Sequence, residues 1–549
     1  MKLYLVFQSL TKKERRVFIS AFALFLFATI IWAVHFFYTH TVAVPAAGGD
    51  YTEGIIGQPT FINPILAGSN DVDRDLVTLL YDNLFNLVDH YKTSTDGKTW
   101  NITLKNNLRW SDDKPLTSDD VVFTIEAIQD LESRSPLFLT WQGVVVQRVS
   151  ELEVEFNLRT PYTFFLDNLK DLKIAPKHIF STIPNANLRL SNYNLEPIGS
   201  GPYKFVTYNK RKDGFITDYQ MDINPRFAST TPFLNTFTIK FFPGTKELIQ
   251  AFNSRKIDGF GDMSPKNLGE LRLSNQIIEI PMPRYYAVFL NKNSHPALQD
   301  NTVRQALFQA TNKAEIIANV FQGKALSVNG PLLPIIAGYS ESANALSFSV
   351  EQANALLESN GWLKNGEGIR EKKIGKDIVQ LKFDLIVPQI PFLSETAELL
   401  RQQWQQIGVA LNILLLNPTD ITNEVIKTRN YQMILFGNIL KENPDIFSFW
   451  HSSERFYPGL NLSLYENKRI DGLLESIRKN VNNESRNRDL GEIQKVITND
   501  LPAIFLFSPT YLYIAPKSFG GLPEQGLTTA ADRFLNVNQW FIKTSRVFK

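Results

Sequence analysis

Four aspartates form the densest group of reactive side chains in this sequence. They stand as two adjacent pairs: Asp112, Asp113, Asp119 and Asp120. Paired carboxylates can act as general acid and base or bind a divalent cation. One pair lies in a predicted turn, whereas the other follows Thr117, and Thr117 with Asp120 three residues later has the spacing of a capping box. Carboxylates in a first helical turn cap the helix and complement its dipole, so we expect these groups to be structural.

Histidine and cysteine offer no alternative centre. The six histidines lack the spacings that metal sites use: His35, His40, His90, His178, His295 and His451. The chain contains no cysteine, which excludes disulfides, a thiol nucleophile and a lipid-modified amino-terminal cysteine. The sequence therefore predicts a protein that is not an enzyme and that holds no cofactor and no metal.

A long apolar segment near the start of the chain predicts where the protein works. Residues 17–38 contain no charged side chain and follow four basic ones: Lys12, Lys13, Arg15 and Arg16. A spanning helix needs about 20 apolar residues, and basic residues stay on the cytoplasmic side. We therefore predict a cytoplasmic tail at 1–16, a single-pass anchor in the cell membrane at 17–38, and an extracytoplasmic C-terminal part. The alternative is a secretory signal cleaved after Ala46.

The segment after the anchor is predicted to be a flexible spacer, residues 39–50, because it contains Pro45, Gly48 and Gly49. The remainder has ordinary globular composition, 44% hydrophobic, with 40 Phe and 18 Tyr. Lys and Arg number 57 against 55 Asp and Glu, and no run of either sign is long. This balance indicates no nucleic-acid partner.

Short strand and helix patterns alternate along the exported part, which predicts an α/β fold. Strands are expected at 51–57 and 99–104, with two more inside 144–158. Helices are expected at 73–85, from Thr117 to about 131, and after Asn312, where Glu315 completes a cap and Gly323 ends the helix. Gly199, Gly201 and Pro202 indicate a tight turn in which two backbone segments approach each other.

Several motifs resemble the family 5 extracellular solute-binding proteins, the peptide and nickel receptors of ABC importers. The strand, turn and helix of residues 100–125 carry the resemblance first. Further segments match in the same order: PTFINP at 59–64, EPIGSGPYKF at 196–205, VRQAL at 303–307, GPLLP at 330–334 and SFWHSS at 448–453. Together they extend over nearly the whole exported chain.

The resemblance implies a periplasmic-binding-protein-like fold (type II, class C) with two lobes, a cleft and an extra domain. We assign the first lobe to 51–88, 196–290 and 505–549, the extra domain to 89–195, and the second lobe to 291–504. Hinges are expected near 286–291 and 507–513, where the chain passes between lobes.

Asp445 is the candidate anchor for a ligand, because residues 443–450 are similar to the family segment whose Asp accepts a peptide amine. An equally open interpretation is that Asp445 caps a short helix beginning at Ile446. Dipeptide-selective relatives place an Arg in the loop that corresponds to 388–394, which is uncharged here. Arg401 is the nearest basic residue, on the following helix. The absence of a fixed cation favours oligopeptides of variable length.

Aromatic side chains are the remaining candidates for the pocket: Trp141, Tyr285, Tyr286, Trp450 and Phe456. Taken singly, each of them is more typical of the core than of a pocket wall. The expectation is a monomeric, membrane-anchored receptor that binds peptides and delivers them to an ABC permease with its ATPase. Alternatives are a sensing or surface-interaction receptor, a nickel-chelate or sugar receptor, or a hydrolase.

Overall fold

Five β-sheets and their packed helices form the part of the chain that the structure describes. The structure is a computed structural model and describes residues 11–68, 70–336, 338–340, 346–441, 445–522 and 526–549. Most of the predicted cytoplasmic tail lies outside these ranges, as do Asn443 and Pro444 of the segment that carries Asp445. The α/β prediction is confirmed, because strands and helices alternate along the chain.

The elements are numbered in chain order. The strands are β1 Thr41–Ala46, β2 Asp50–Ile56, β3 Val88–Thr93, β4 Thr99–Leu104, β5 Val145–Arg148, β6 Glu153–Asn157, β7 Tyr203–Lys210, β8 Ile216–Ile223, β9 Thr236–Phe242, β10 Gly259–Phe260, β11 Gln276–Ile280, β12 Arg284–Leu290, β13 Ala325–Ser327, β14 Leu363–Lys364, β15 Arg370–Ile374, β16 Asp377–Gln380, β17 Lys382–Pro388, β18 Ala410–Leu416, β19 Met433–Ile439, β20 Ala503–Pro509, β21 Tyr511–Ala515 and β22 Lys543–Phe548. The α-helices are α1 Lys12–His40, α2 Asp71–Leu80, α3 Leu84–Leu87, α4 Ser118–Gln129, α5 Phe138–Trp141, α6 Phe165–Asp171, α7 Lys177–Phe180, α8 Thr245–Asn253, α9 Pro296–Gln299, α10 Asn301–Gln309, α11 Lys313–Phe321, α12 Val350–Ser359, α13 Pro391–Gln405, α14 Pro418–Asp420, α15 Phe447–Trp450, α16 Lys468–Lys479 and α17 Asn483–Asp500.

The first large sheet has the order β11-β21-β10-β2-β9-β8-β7. Its strands alternate buried and partly exposed residues, so that Phe237, Ile239 and Phe241 of β9 all point into one core. Trp540, from the end of the chain, packs in the same core beside Phe237. The C-terminal segment therefore completes the core that the first strands begin.

The second large sheet has the order β13-β20-β12-β19-β17-β18. Strand β12 is central and apolar on both faces, as expected of a strand covered on both sides. Tyr285, Ala287 and Phe289 face one hydrophobic core, whereas Val288 and Leu290 face the other. Helices therefore cover this sheet on both sides.

A separate four-stranded sheet, β3-β4-β6-β5, carries α4. The predicted capping box is present: the Thr117 hydroxyl and the Asp120 carboxylate each bond the backbone at the other residue. The Asp119 carboxylate bonds Lys177 and Arg148. These two aspartates thus have the structural role that the sequence predicted.

Gly199 and Gly201 pack directly on the backbone of α2. A Cβ at Gly199 would lie 1.8 Å from the carbonyl oxygen of Leu80, and the amide of Gly201 donates to the same oxygen at 2.9 Å. No side chain fits there, which confirms the predicted approach of two backbones.

The chain crosses between the two large sheets at two places. Strand β11 belongs to the first sheet and β12 to the second, so one crossing is the short segment 281–283. Strands β20 and β21 are separated by Thr510 alone, inside the expected hinge at 507–513. The other expected hinge, 286–291, lies mostly within β12, whose ladder bonds to β19 and β20 hold it in the second sheet.

The predicted flexible spacer at 39–50 is wrong as a description of the backbone. Helix α1 continues to His40, and β1 then pairs antiparallel with β22 from Thr41 opposite Phe548 to Ala46 opposite Lys543. Arg546 bonds the hydroxyl of Thr41 at 2.9 Å and its guanidinium covers the ring of Tyr38. The composition of the segment suggested flexibility. The sequence could not reveal that it is a strand, because its partner strand lies at the other end of the chain.

Candidate functional site

The two large sheets meet at the carboxyl ends of their parallel strands. In the first sheet β2 is parallel to β9 and β10, and in the second β19 is parallel to β17. Strand β11 ends at the carboxyl edge of the first sheet, and β12 begins at that of the second, because β12 is antiparallel to β19. Ligands of open α/β sheets bind at such edges. We call this region, around 281–283 and Thr510, the junction.

Polar contacts bridge the second sheet and its neighbours around the junction. Tyr162 and Thr163 lie in the loop between β6 and α6. The hydroxyl of Tyr162 donates to Asp445 at 2.9 Å, and the amide of Thr163 donates to the carbonyl of Arg478 at 2.8 Å. Elsewhere Lys266, after β10, forms an ion pair with Glu395 of α13. These contacts thus join loops and helices that are far apart in the sequence.

Asp445 has three partner residues and is only 15% exposed. Its carboxylate accepts from Nε of Arg478 at 2.9 and 3.0 Å and from Nη2 at 2.7 Å, as well as from Tyr162. Oδ1 also accepts from the amide of Phe447, the first residue of α15, at 3.2 Å. The predicted contact with the helix start is therefore present, and an arginine that the sequence did not suggest neutralises the charge.

The guanidinium of Arg478 lies 3.7 Å from the ring centroid of Phe447 and 5.7 Å from that of Tyr162. Burial raises the pKa of the Tyr162 phenol, and the negative charge of Asp445 raises it further. Tyr162 therefore stays protonated and keeps donating to the carboxylate.

Three of the five aromatic candidates are core residues. Trp141 packs on Phe156 and Phe165 beneath the four-stranded sheet, and Trp450 and Tyr285 both contact Phe505 under the second sheet. The Tyr285 hydroxyl accepts from Nδ2 of Asn438 at 2.8 Å, and burial raises the pKa of this phenol. Each of the three is at most 2% exposed, so they can shape the site only from behind.

Tyr286 and Phe456 are accessible, but at different places. Tyr286 is partly buried, packs on Phe392 at 5.1 Å and on Phe507 at 5.7 Å, and lies across from Gly437. Phe456 is 63% exposed beside Arg455. Phe392 was not predicted as a site residue. It lies in the first turn of α13, within the segment 388–394, whose sequence indicated only a lack of charge.

A cavity of about 400 Å³ opens between the first sheet and α11 and α13. It is lined by Lys266, Asn319, Val320, Ser394, Glu395, Glu398 and Leu399. Arg401, the basic residue nearest to the uncharged loop, bonds Glu398 of its own helix at 2.6 Å. That arginine therefore already has a carboxylate partner.

Comparison with known proteins places this architecture in a family. Residues 85–455 match the model of the bacterial extracellular solute-binding proteins, family 5, middle region. The oligopeptide-binding protein AppA of Bacillus subtilis is 24% identical over 519 residues, 91% of this chain and 92% of its own length. Its solved structure in complex with a nonapeptide superposes with a TM-score of 0.71 and covers 91% of this chain and 100% of that one.

The crystal structure of the ABC transporter substrate-binding protein CtaP of Listeria monocytogenes is 25% identical, with a TM-score of 0.76, and covers 90% of this chain and 99% of its own. These matches confirm the predicted periplasmic-binding-protein-like fold. Since the family model spans more than half of the sequence, the chain belongs to family 5 of the bacterial extracellular solute-binding proteins, the extracytoplasmic substrate-binding proteins of ABC importers.

Proposed function

We propose that this protein is a membrane-anchored receptor that binds oligopeptides at the junction and delivers them to an ABC permease and its ATPase. The observation that carries the proposal is the junction itself, where two sheets joined by two short crossings present their carboxyl edges to one another. A ligand that bridges both lobes favours the closed form of such a molecule. The ligands of AppA, oligopeptides and a nonapeptide, support peptides as the ligand class.

Asp445 is the proposed acceptor for the peptide ammonium. Its carboxylate is mostly buried, and a buried charge interacts more strongly with a ligand charge than an exposed one. Tyr162 occupies one of its oxygens, so the ammonium would displace the phenol while Arg478 stays in place. The proposed role and the contact with Phe447 are compatible, because they use different lone pairs of the carboxylate.

Helix α1 is the proposed membrane anchor. It has 29 residues, none of them buried, and its most apolar 18-residue window has a mean hydropathy of 2.5. Cleavage after Ala46 would remove β1, which pairs with β22 over its whole length. This pairing supports a retained helix over a cleaved signal. A retained helix would hold the receptor at the extracytoplasmic face of the cell membrane.

Native mass spectrometry of the full-length protein in detergent, incubated with a mixed-length peptide library, tests the ligand class. We expect bound species with the masses of intact oligopeptides. Exclusive binding of sugars or nickel chelates would contradict the proposal, and cleaved peptides would instead indicate a hydrolase. Co-purification of the tagged protein with a permease and its ATPase tests delivery, and its failure would favour a sensing or surface-interaction role.

A further inference from the structure

Arg284 is a cationic side chain at the junction that has no bonded partner among the residues that the structure describes. It is the first residue of β12, directly after the crossing 281–283, and it is partly buried. Its Nε is buried, and no described residue accepts a hydrogen bond from the guanidinium or pairs with it within 4 Å. A guanidinium carries five donors that require acceptors, so a partly buried one without any is costly.

Other buried arginines in the described part of the chain all have acceptors. Arg533 bonds Glu53 and Asp75, Arg304 bonds the carbonyls of Leu298 and Gln299, and similar carbonyl bonds hold two more: Arg370 and Arg429. Arg284 departs from this pattern. Because the described residues provide no acceptor, its guanidinium can donate to water or to a ligand.

The surroundings of Arg284 are those of a binding subsite. Tyr286 lies two residues further along the same face of β12 and forms an aromatic wall with Phe392, and the buried ring of Phe507 packs behind Tyr286. Asp262, after β10 in the first sheet, is exposed and adopts a left-handed backbone. Neighbouring protein atoms that displace water from its carboxylate raise the pKa of Asp262, and the positive charge of Arg284 partly offsets that rise, so the two groups interact electrostatically.

We propose that Arg284 binds the C-terminal carboxylate of the peptide, with the last side chain against Tyr286 and Phe392. The inference rests on the proposed peptide-binding function. The planar fork of arginine matches a carboxylate bidentately, and the neighbouring loop 388–394 supplies no other cation.

The two termini of the peptide then lie on opposite sides of the second sheet. The amide of Leu440, which follows β19, donates to Pro283, the residue before Arg284, at 2.6 Å. From Leu440 the chain leads to Asp445, whose neighbour Ile446 is buried in the core on the Tyr285 side. Arg284 starts the face that continues into the core on the other side, with Val288 and Leu290. A bound peptide would run across the edge between the two charges.

Isothermal titration calorimetry of the full-length protein in detergent tests the inference. The probes are one oligopeptide identified by native mass spectrometry and the same peptide with a C-terminal amide. We expect the wild type to bind the free acid about tenfold more tightly than the amide, because only the free acid forms charged hydrogen bonds with Arg284. Arg284→Gln should weaken the free acid to the level of the amide and leave the amide unchanged, and Arg284→Lys should retain part of the preference.

Two further variants separate a ligand contact from a structural role. Arg401→Gln, which removes an exposed arginine already paired with Glu398, should change neither affinity. Asp262→Asn should keep or increase the preference for the free acid, because it removes an opposing negative charge. Equal wild-type affinities for acid and amide, or equal losses for both in Arg284→Gln, would overturn the inference. If no peptide binds the wild type, the proposed function itself fails.

Discussion

At the scale of single residues, Asp445 shows how a structural role and a binding role can share one carboxylate. Its negative charge is balanced by Arg478, and one oxygen bonds the first amide of α15. The bond from Tyr162 is the one that a ligand can replace without unfolding α15, because Tyr162 lies in the loop between β6 and α6.

Asp445→Asn should weaken peptides with a free amine by about tenfold or more and leave N-acetylated peptides within about twofold, because the amide removes the charge but keeps the shape. Titration calorimetry with matched pairs of peptides measures both affinities. Asp213→Asn, in an exposed turn beside Arg211, is the control and should have no effect. Equal losses for both peptide classes would leave Asp445 only the role at the start of α15.

A buried ionic cluster in the first lobe predicts a large effect on stability. Arg533, 3% exposed, bonds both Glu53 and Asp75, which are as deeply buried. Arg533→Ala leaves two unpaired carboxylates, and we expect the free energy of unfolding to fall by about 3–5 kcal/mol, as measured by urea denaturation at pH 7. Arg211→Ala at the surface should change it by less than about 0.5 kcal/mol.

The pH dependence of that variant follows from the same burial. Desolvation raises the pKa of both Glu53 and Asp75, and Arg533 counteracts the rise. Without Arg533 the folded-state pKa values of Glu53 and Asp75 lie further above their unfolded-state values. The variant is therefore more stable at low pH, where both groups are protonated, than at high pH, and it loses stability as the pH rises through the folded-state pKa values. The difference in the free energy of unfolding between wild type and Arg533→Ala should be larger at pH 7 than at pH 5. The reverse order would contradict this account of the cluster.

At the scale of elements, the pairing of β1 with β22 joins the base of α1 to the last residues of the chain. The amide of Lys549 donates to the carbonyl of His40 at 2.9 Å, and Phe548 packs edge-on against Phe37. If α1 is the membrane anchor, this ribbon fixes the direction in which the folded body leaves the membrane. A flexible tether would not.

Removing residues 543–549 should therefore release β1 without unfolding the body. We expect hydrogen exchange of the amides at 42–46 to lose its protection, while β2 and β9, which pair with each other, keep theirs. Peptide affinity should stay unchanged, since the ribbon lies in its own two-stranded sheet. Protected amides at 42–46 in the truncated chain would show that α1, rather than β22, orders this segment.

The sequence predicted those elements whose signals are local. The alternation of 99–104, the capping box at Thr117 and the helix between Asn312 and Gly323 each depend on residues within one element, and the structure contains all three. The burial of Trp141 depends on Phe156 and Phe165, which only the fold brings beside it. The sequence alone therefore could not decide whether Trp141 is buried in the core or lines a pocket.

Contacts between distant parts of the chain could not be predicted in this way. Arg478 pairs with Asp445 from a different helix, and β1 pairs with a strand at the opposite end of the chain. Arg284 was missed for a related reason. A single arginine before an apolar run gives no signal, and its importance comes from the lack of a bonded partner among the described residues in three dimensions.

At the scale of the whole molecule, the described contacts around the junction hold the lobes together on more than one side. Tyr162 bonds Asp445, Lys441 bonds Asp171, and Lys266 bonds Glu395. The two exposed ion pairs among them, Lys441–Asp171 and Lys266–Glu395, contribute little each, about 0–1 kcal/mol, so they can separate when the lobes open. A peptide that bridges the lobes would add the interaction that keeps the closed form populated.

The absence of native cysteine makes this closure directly measurable. In the double variant Lys266→Cys and Glu395→Cys, we expect peptide to raise the rate of cross-linking by a short bismaleimide, because closure brings the two positions together. Once cross-linked around a bound peptide, the protein should release it at least about tenfold more slowly, since the lobes can no longer separate. The matched pair Asp119→Cys and Lys177→Cys lies beside the four-stranded sheet on one side of the junction, and its cross-linking rate should ignore the peptide. If peptide left the first rate unchanged, the receptor would bind its ligand without lobe closure, and delivery to a permease would have to depend on some other change of shape.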